Sequence, residues 1–361
     1  MLSDENPNRR PWYRNTRLRR IAGVVFVVGV AVAGAYALNG QRAELSGSLS
    51  LLENSDLDIV AVAVIAESLS VLTFGYFNWY LLRVGLQRPP LAKAVFVSLA
   101  STTINNSVPG GAAFSSVYAY REFRGFGADP IFSSWTVLAI NLLSGVGLAI
   151  LAILGVATSL RTSQGLDLFV VVPILALVLI GLAALVATPV LLVKVIGPPM
   201  RLVARLMARS KRANFSPEAI CARLMAARPT FAQVLVAIVL AILNWVFDAM
   251  VLVLAYKAIH GAIPWRGLLL AYGAGQLAAN LPVTPGGLGV VEGSLSIALV
   301  AYGGAQESAV AAVLLYRLVS FWMTIPVGWV AYFSTSVVRK RRDARLAGGL
   351  EVLLPDKDLL S

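Results

Sequence analysis

Six apolar runs, at residues 21–38, 59–82, 131–155, 168–196, 231–256 and 310–333, reach or approach the length that crosses a membrane. A helix spans the hydrocarbon core with about 20 apolar residues, and backbone in lipid must satisfy its own hydrogen bonds, so such runs dictate a helical, polytopic membrane protein. Composition agrees, at 58% hydrophobic and 13% charged residues. The first run follows Arg9, Arg10, Arg14, Arg17, Arg19 and Arg20. This basic stretch is long for a signal peptide and the run approaches spanning length, so a retained first helix is expected, with residues 1–20 in the cytoplasm. One cysteine, Cys221, and one histidine, His260, leave no disulfide framework and too few soft ligands for zinc or haem. No metal and no cofactor are expected. The net charge of +12 lies in short segments between apolar runs, the positive-inside distribution rather than a nucleic-acid interface.

Two further apolar regions are broken: residues 91–124 by "NNSVPGG" and residues 267–300 by "NLPVTPGG". Each arm beside a break is about 14 to 16 residues, or roughly 20–24 Å of helix, short of a full crossing. The breaks are related. A shift of 176 positions, without a gap, superposes Tyr80 on Tyr256, Gly85 on Gly261, Pro109-Gly110-Gly111 on Pro285-Gly286-Gly287, Gly127 on Gly303 and Ser144 on Ser320. Residues 59–155 and 235–331 therefore read as a duplication.

Loop charge selects between parallel and inverted copies. Residues 194–230 carry Lys194, Arg201, Arg205, Arg209, Lys211, Arg212, Arg223 and Arg228 against Glu218. This segment falls in the cytoplasm only if each broken region enters and leaves by one face. The same arrangement puts Arg83, Arg88, Lys93 and "RKRRDAR" in the cytoplasm, and Glu44, Glu53, Asp56 and Asp58 outside. The expectation is an all-α integral membrane protein with about six transmembrane helices plus two re-entrant helical hairpins in an inverted-topology repeat. One transmembrane domain covers residues 21–339, residues 340–361 form a short cytoplasmic tail, and residues 199–228, alternating Met/Leu/Val with Arg, form an interfacial helix or a basic connector.

Non-helical backbone at membrane depth persists only where protein or a water-filled cavity satisfies it. A helix that starts at Gly286-Gly287, after Pro285, or at Gly110-Gly111 presents unpaired N–H groups, a site for an anion such as phosphate. Ionisable residues in the membrane are functional candidates. The clearest are Glu292 and Arg317, superposed by the repeat on Ser116 and Asn141. Arg317 and the glycine-rich turn would hold an anionic headgroup, with Glu292 orienting the arginine or binding a proton or cation; a salt bridge that only fixes packing is the plainer alternative. Asn106 and Asn280 cap hairpin arms or line a cavity, Tyr316 flanks the arginine, and Arg121 gathers headgroups or sets topology on the cytoplasmic side. Glu67 and Asp248 lie inside crossings and merit the same intramembrane argument.

"NLPVTPGGLGVVEGSL", with "LLYRLVSFW" some way beyond it, resembles the transmembrane-domain family of lysylphosphatidylglycerol synthases, also grouped with flippase-like membrane proteins. The likeness rests on Pro282, Pro285, Gly286, Gly287, Gly289 and Glu292, joined to Tyr316-Arg317, and extends over nearly the whole chain. It implies movement of an anionic, aminoacylated lipid between leaflets. Lipid aminoacylation is not expected to carry over, because residues 340–361 hold no transferase domain. The leading expectation is a lipid flippase of the cytoplasmic membrane, with both termini in the cytoplasm, working by alternating access and not an enzyme. Its partners would be membrane lipids with anionic headgroups and a separate synthase or glycosyltransferase. The alternatives are a membrane-embedded glycosyltransferase, with "ENSDLD" as its only acidic loop, and an accessory subunit of cell-envelope synthesis.

Overall fold

A computed structural model describes residues 42–84, 89–159, 229–280 and 284–335, with three isolated positions between 181 and 188. The expected crossings at 21–38 and 168–196, the basic segment 199–228 and both termini lie outside the described residues. Within them the chain is helical without strands. The helices are α1 (Arg42–Glu53), α2 (Leu57–Val84), α3 (Leu91–Ser107), α4 (Gly111–Gly125), α5 (Pro130–Ser159), α6 (Phe231–Ala258), α7 (Trp265–Ala279), α8 (Val290–Ala301) and α9 (Gln306–Thr335). Helices α2, α5, α6 and α9 are long and apolar enough to cross a membrane. Phe231, Ile297 and Val330 point out of the bundle, as lipid-facing side chains do. The protein is an integral membrane protein.

Local chemistry sets the helix ends. The Asp56 carboxylate accepts the N–H of Asp58 at 3.0 Å and starts α2, so "ENSDLD" serves here as a helix cap. Thr230 and Gln233 form a reciprocal capping box at the start of α6.

The element pattern recurs at the 176-residue offset. Helix α5 begins at Pro130 and α9 at Gln306, ending at Ser159 and Thr335. The same C-terminal cap closes α4 and α8. Gly127 and Gly303 take φ of 89° and 91°, and Ala128 and Gly304 donate back to the carbonyls of Phe123 and Leu299 at 3.3 and 3.0 Å. A residue with a Cβ resists that left-handed backbone, which explains the glycine in each copy.

Two hydrophobic cores divide the bundle. One surrounds the α3–α4 pair with Phe77, Leu81 and Leu82 of α2, Phe132 and Leu143 of α5, Val234 and Ala241 of α6, and Ala331 of α9. The other surrounds α7 and α8 with Ala63 and Ala66 of α2, Leu148 and Leu151 of α5, Leu252 and Tyr256 of α6, and Val313 and Tyr316 of α9. Each long helix therefore runs from one core to the other. Helix α2 leaves the second core for the first while its repeat equivalent α6 does the reverse, and α5 and α9 are opposed in the same way. The two halves are built in opposite directions.

Helices α2 and α6 cross at the centre through a polar clamp. Asn244 donates to the carbonyl of Ser70 at 3.1 Å and to its hydroxyl at 2.8 Å, while the Ser70 hydroxyl lies 3.1 Å from the Asn244 carbonyl. Both side chains are buried. Asn244→Ala is expected to cost about 0.5–2 kcal/mol, the range for interhelical polar contacts in membranes. Thermal unfolding of the detergent-solubilised protein measures it.

Candidate functional site

The chain reverses between α3 and α4 and again between α7 and α8, and the two reversals meet. The end of α3 packs against the single 3-10 turn Pro285–Gly287, and a Cβ on Gly286 would lie 3.0 Å from the Asn106 carbonyl oxygen and clash with the Phe321 ring. Gly286 has φ 55° and ψ 23°, and its repeat equivalent Gly110 has φ 66° and ψ 23°. Glycine is required at 286 on both counts: a left-handed backbone and no room for a side chain.

Around this meeting point lies a cavity of about 310 Å³. Its wall is rich in hydroxyl and amide groups: Ser98, Ser101, Thr102, Asn105, Ser115 and Ser116 from the α3–α4 hairpin, Asn141 and Ser144 from α5, and Ser320 and Thr324 from α9. Asn141 and Asn280 are exposed, so the cavity reaches the protein surface. Repeat-equivalent positions line it together, Asn141 with Arg317 and Ser144 with Ser320.

Arg317 is the cation of this wall. Its Nε donates to Glu292 Oε1 at 2.7 Å, its Nη2 donates to the Gly286 carbonyl at 3.0 Å, and the guanidinium carbon sits 4.0 Å above the Phe321 ring. The π-helical turn Leu318–Trp322, which interrupts α9 just after Arg317, carries that ring. The arginine side chain is 9% exposed and Glu292 21%. The remaining guanidinium N–H groups make no hydrogen bond to the described residues and are available to an anion entering the cavity.

Several N–H groups of the glycine turns have partners within the protein. Glu292 Oε2 accepts the N–H of Gly289 at 2.7 Å, so the N-terminus of α8 is capped by its own carboxylate. The N–H groups of Gly287 and Leu288 turn back to Thr284 and Pro285, and that of Gly111 to Val108. The Gly286 carbonyl accepts from Arg317. Of the residues expected at the site, Arg317, Tyr316, Gly286, Asn280, Asn106 and Asn141 line the cavity. Gly110, Gly111, Pro285 and Gly287 shape the turns behind the wall, and Glu292 acts through Arg317. Arg121 is exposed on α4, away from the cavity.

A second polar group adjoins the arginine. Asp248 of α6 accepts at Oδ2 from the Tyr316 hydroxyl at 2.8 Å, from Gln276 Nε2 at 3.1 Å and from the Tyr272 hydroxyl. Gln276 also donates to the Tyr316 oxygen at 2.7 Å. Glu67 of α2 lines the same cavity and stands beside Asp248. Their intramembrane position marks both acids in the sequence, but nothing there foretells Tyr272 and Gln276 as partners.

Two like halves run in opposite directions and meet on a polar cavity inside an apolar helical bundle; the molecule is of the class of polytopic membrane proteins built as an inverted repeat. The chain belongs to the family described as Lysylphosphatidylglycerol synthase TM region, whose model matches residues 18–328. A 104-residue stretch is 33% identical to a UPF0104 membrane protein of Methanothermobacter thermautotrophicus, over 28% of this chain and 30% of that relative. The chain thus matches less than a third of the length of that curated relative.

Proposed function

We propose that this protein is a flippase that moves an anionic, phosphate-bearing lipid between the leaflets of the cytoplasmic membrane and carries out no chemistry on it. The observation that carries the reading is Arg317, held inside a polar cavity with guanidinium N–H groups left over for an anion. The cavity, at about 310 Å³, is at the lower end of the range for small-ligand sites and suits a headgroup while the acyl chains stay in the bilayer. Its hydroxyl and amide lining replaces water around a polar headgroup during passage.

In this reading the α3–α4 and α7–α8 pairs are re-entrant hairpins from opposite faces, with arms of about 18–26 Å that reach beyond mid-membrane without crossing it. Rocking one half against the other opens the cavity to each face in turn. Basic loops place both termini in the cytoplasm. A separate synthase or glycosyltransferase supplies the lipid.

The test is leaflet exchange in liposomes containing purified protein and fluorescent lipids. Faster exchange of an anionic phospholipid than of a zwitterionic one, slowed by both Arg317→Ala and Glu292→Gln, is the expected result. Wild type that exchanges none of the lipids, or variants equal to it, would overturn the reading.

A further inference from the structure

The Glu67–Asp248 pair has a geometry that a salt-bridge role does not explain. The two carboxyl groups come from α2 and α6, the helices of opposite halves that cross at the Ser70–Asn244 clamp. Glu67 stands one turn before Ser70 and Asp248 one turn after Asn244, and both side chains line the same cavity. Two ionised carboxylates side by side in a buried wall repel and hold only acceptors, and one proton on the pair relieves both problems. Asp248 already receives three donors at Oδ2, from Tyr272, Tyr316 and Gln276, and is the acceptor of the pair. Glu67 is 8% exposed, and its Oε2 is buried with no hydrogen-bond partner among the described residues. The donors turned toward Asp248 also disfavour a metal ion, which needs acceptors on every side.

We propose that Glu67, paired with Asp248, is a proton-binding site that couples proton movement to transport of the anionic headgroup. The inference rests on the flippase reading and adds its energy source. Glu67 takes one proton from the water of the open cavity and, after the halves rock, releases that proton to the opposite face; no other bond forms or breaks. The charged and titratable groups facing the pair are Tyr272 of α7 and Tyr316 and Arg317 of α9, with Glu292 of α8 held on the far side of Arg317. Tyr316 and Arg317 are consecutive, so the proton site and the anion site share one turn of helix. The positive charge of Arg317 acts on Asp248 across this short distance. An anion that neutralises Arg317 therefore strengthens the hold on the proton, and by linkage the proton strengthens the hold on the anion.

Two measurements test this. Infrared spectra of the purified wild type near neutral pH are expected to show the carbonyl stretch of a protonated carboxylic acid. This band should disappear in Glu67→Gln, shift in Asp248→Asn and fade in wild type at high pH. In liposomes, the ratio of anionic-lipid exchange with and without a one-unit pH gradient is expected to exceed unity, up to about tenfold, the change in proton activity that one unit represents. That ratio should return to one in Glu67→Gln. Exchange by wild type that ignores the gradient overturns the coupling and leaves the flippase reading intact. Wild type that exchanges no lipid defeats the flippase reading, and the coupling that rests on it; the infrared band then reports the bound proton alone. A spectrum without the band, or with a band unchanged in Glu67→Gln, overturns the proton site without touching the flippase reading.

Discussion

Arg317→Ala is expected to slow anionic-lipid exchange by about 100-fold or more. Two charge-assisted hydrogen bonds to a phosphate contribute about 1.5–3 kcal/mol each, and each 1.4 kcal/mol is a factor of ten. The same substitution removes the bond to the Gly286 carbonyl and the stacking on Phe321, and it leaves Glu292 facing a vacated space with only the Gly289 N–H. Breaking a buried ion pair costs about 3–5 kcal/mol, and the 21% exposure of Glu292 lowers that to roughly 2–3 kcal/mol. Arg317→Lys is expected to restore part of the stability and little exchange, because an ammonium cannot hold Glu292, the Gly286 carbonyl and a phosphate in one plane. The double variant Arg317→Ala with Glu292→Ala separates packing from binding: melting should recover toward wild type while exchange stays lost. Recovery of exchange along with stability would reduce Arg317 to a structural role.

Asp248→Leu has the second largest expected effect, on stability. Leucine keeps the branching and the number of side-chain heavy atoms, but the hydroxyls of Tyr272 and Tyr316 lose their acceptor inside a packed core where both tyrosines are nearly inaccessible. A buried donor left unsatisfied costs about 1–3 kcal/mol, so roughly 2–6 kcal/mol is expected, visible as a lower thermal midpoint and as greater susceptibility to protease. Asp248→Asn keeps one oxygen acceptor for the tyrosines and should lose about 1 kcal/mol. If Asp248→Leu melts like wild type, the Tyr272–Tyr316–Gln276 network has no structural weight.

The architecture was largely legible in the chain, and the reasons can be named. Helical spans follow from apolar length, and the duplication follows from glycines whose backbone admits nothing else: Gly127 and Gly303 adopt nearly the same φ, as do Gly110 and Gly286. Arg317 and Glu292 were visible because charge is expensive in lipid. The sequence around Gly286 reads as a helix N-terminus open to an anion, whereas the structure gives the Gly289 N–H to Glu292. The counter-signal was there: Glu292 stands three residues after Gly289, the spacing at which a carboxylate caps its own helix. The Glu67–Asp248 contact was out of reach. Repeat alignment pairs Glu67 with Leu243 and Asp248 with Leu72, so comparing the halves separates the two acids. Only the crossing of oppositely directed α2 and α6 brings them together.

The π-helical turn at Leu318–Trp322 makes the two halves mechanically unequal. Its counterpart α5, of equal length, is α-helical throughout, whereas α9 widens to a π turn at the point where the guanidinium rests on Phe321. Tightening that turn to an α turn rotates the remainder of α9 by about 100° and carries the aromatic ring from beneath the arginine. Ser320, Phe321 and Thr324 would leave the cavity wall in the same movement. A change of register in this one turn would thus reshape the anion site from the second half alone, with no matching change available in α5.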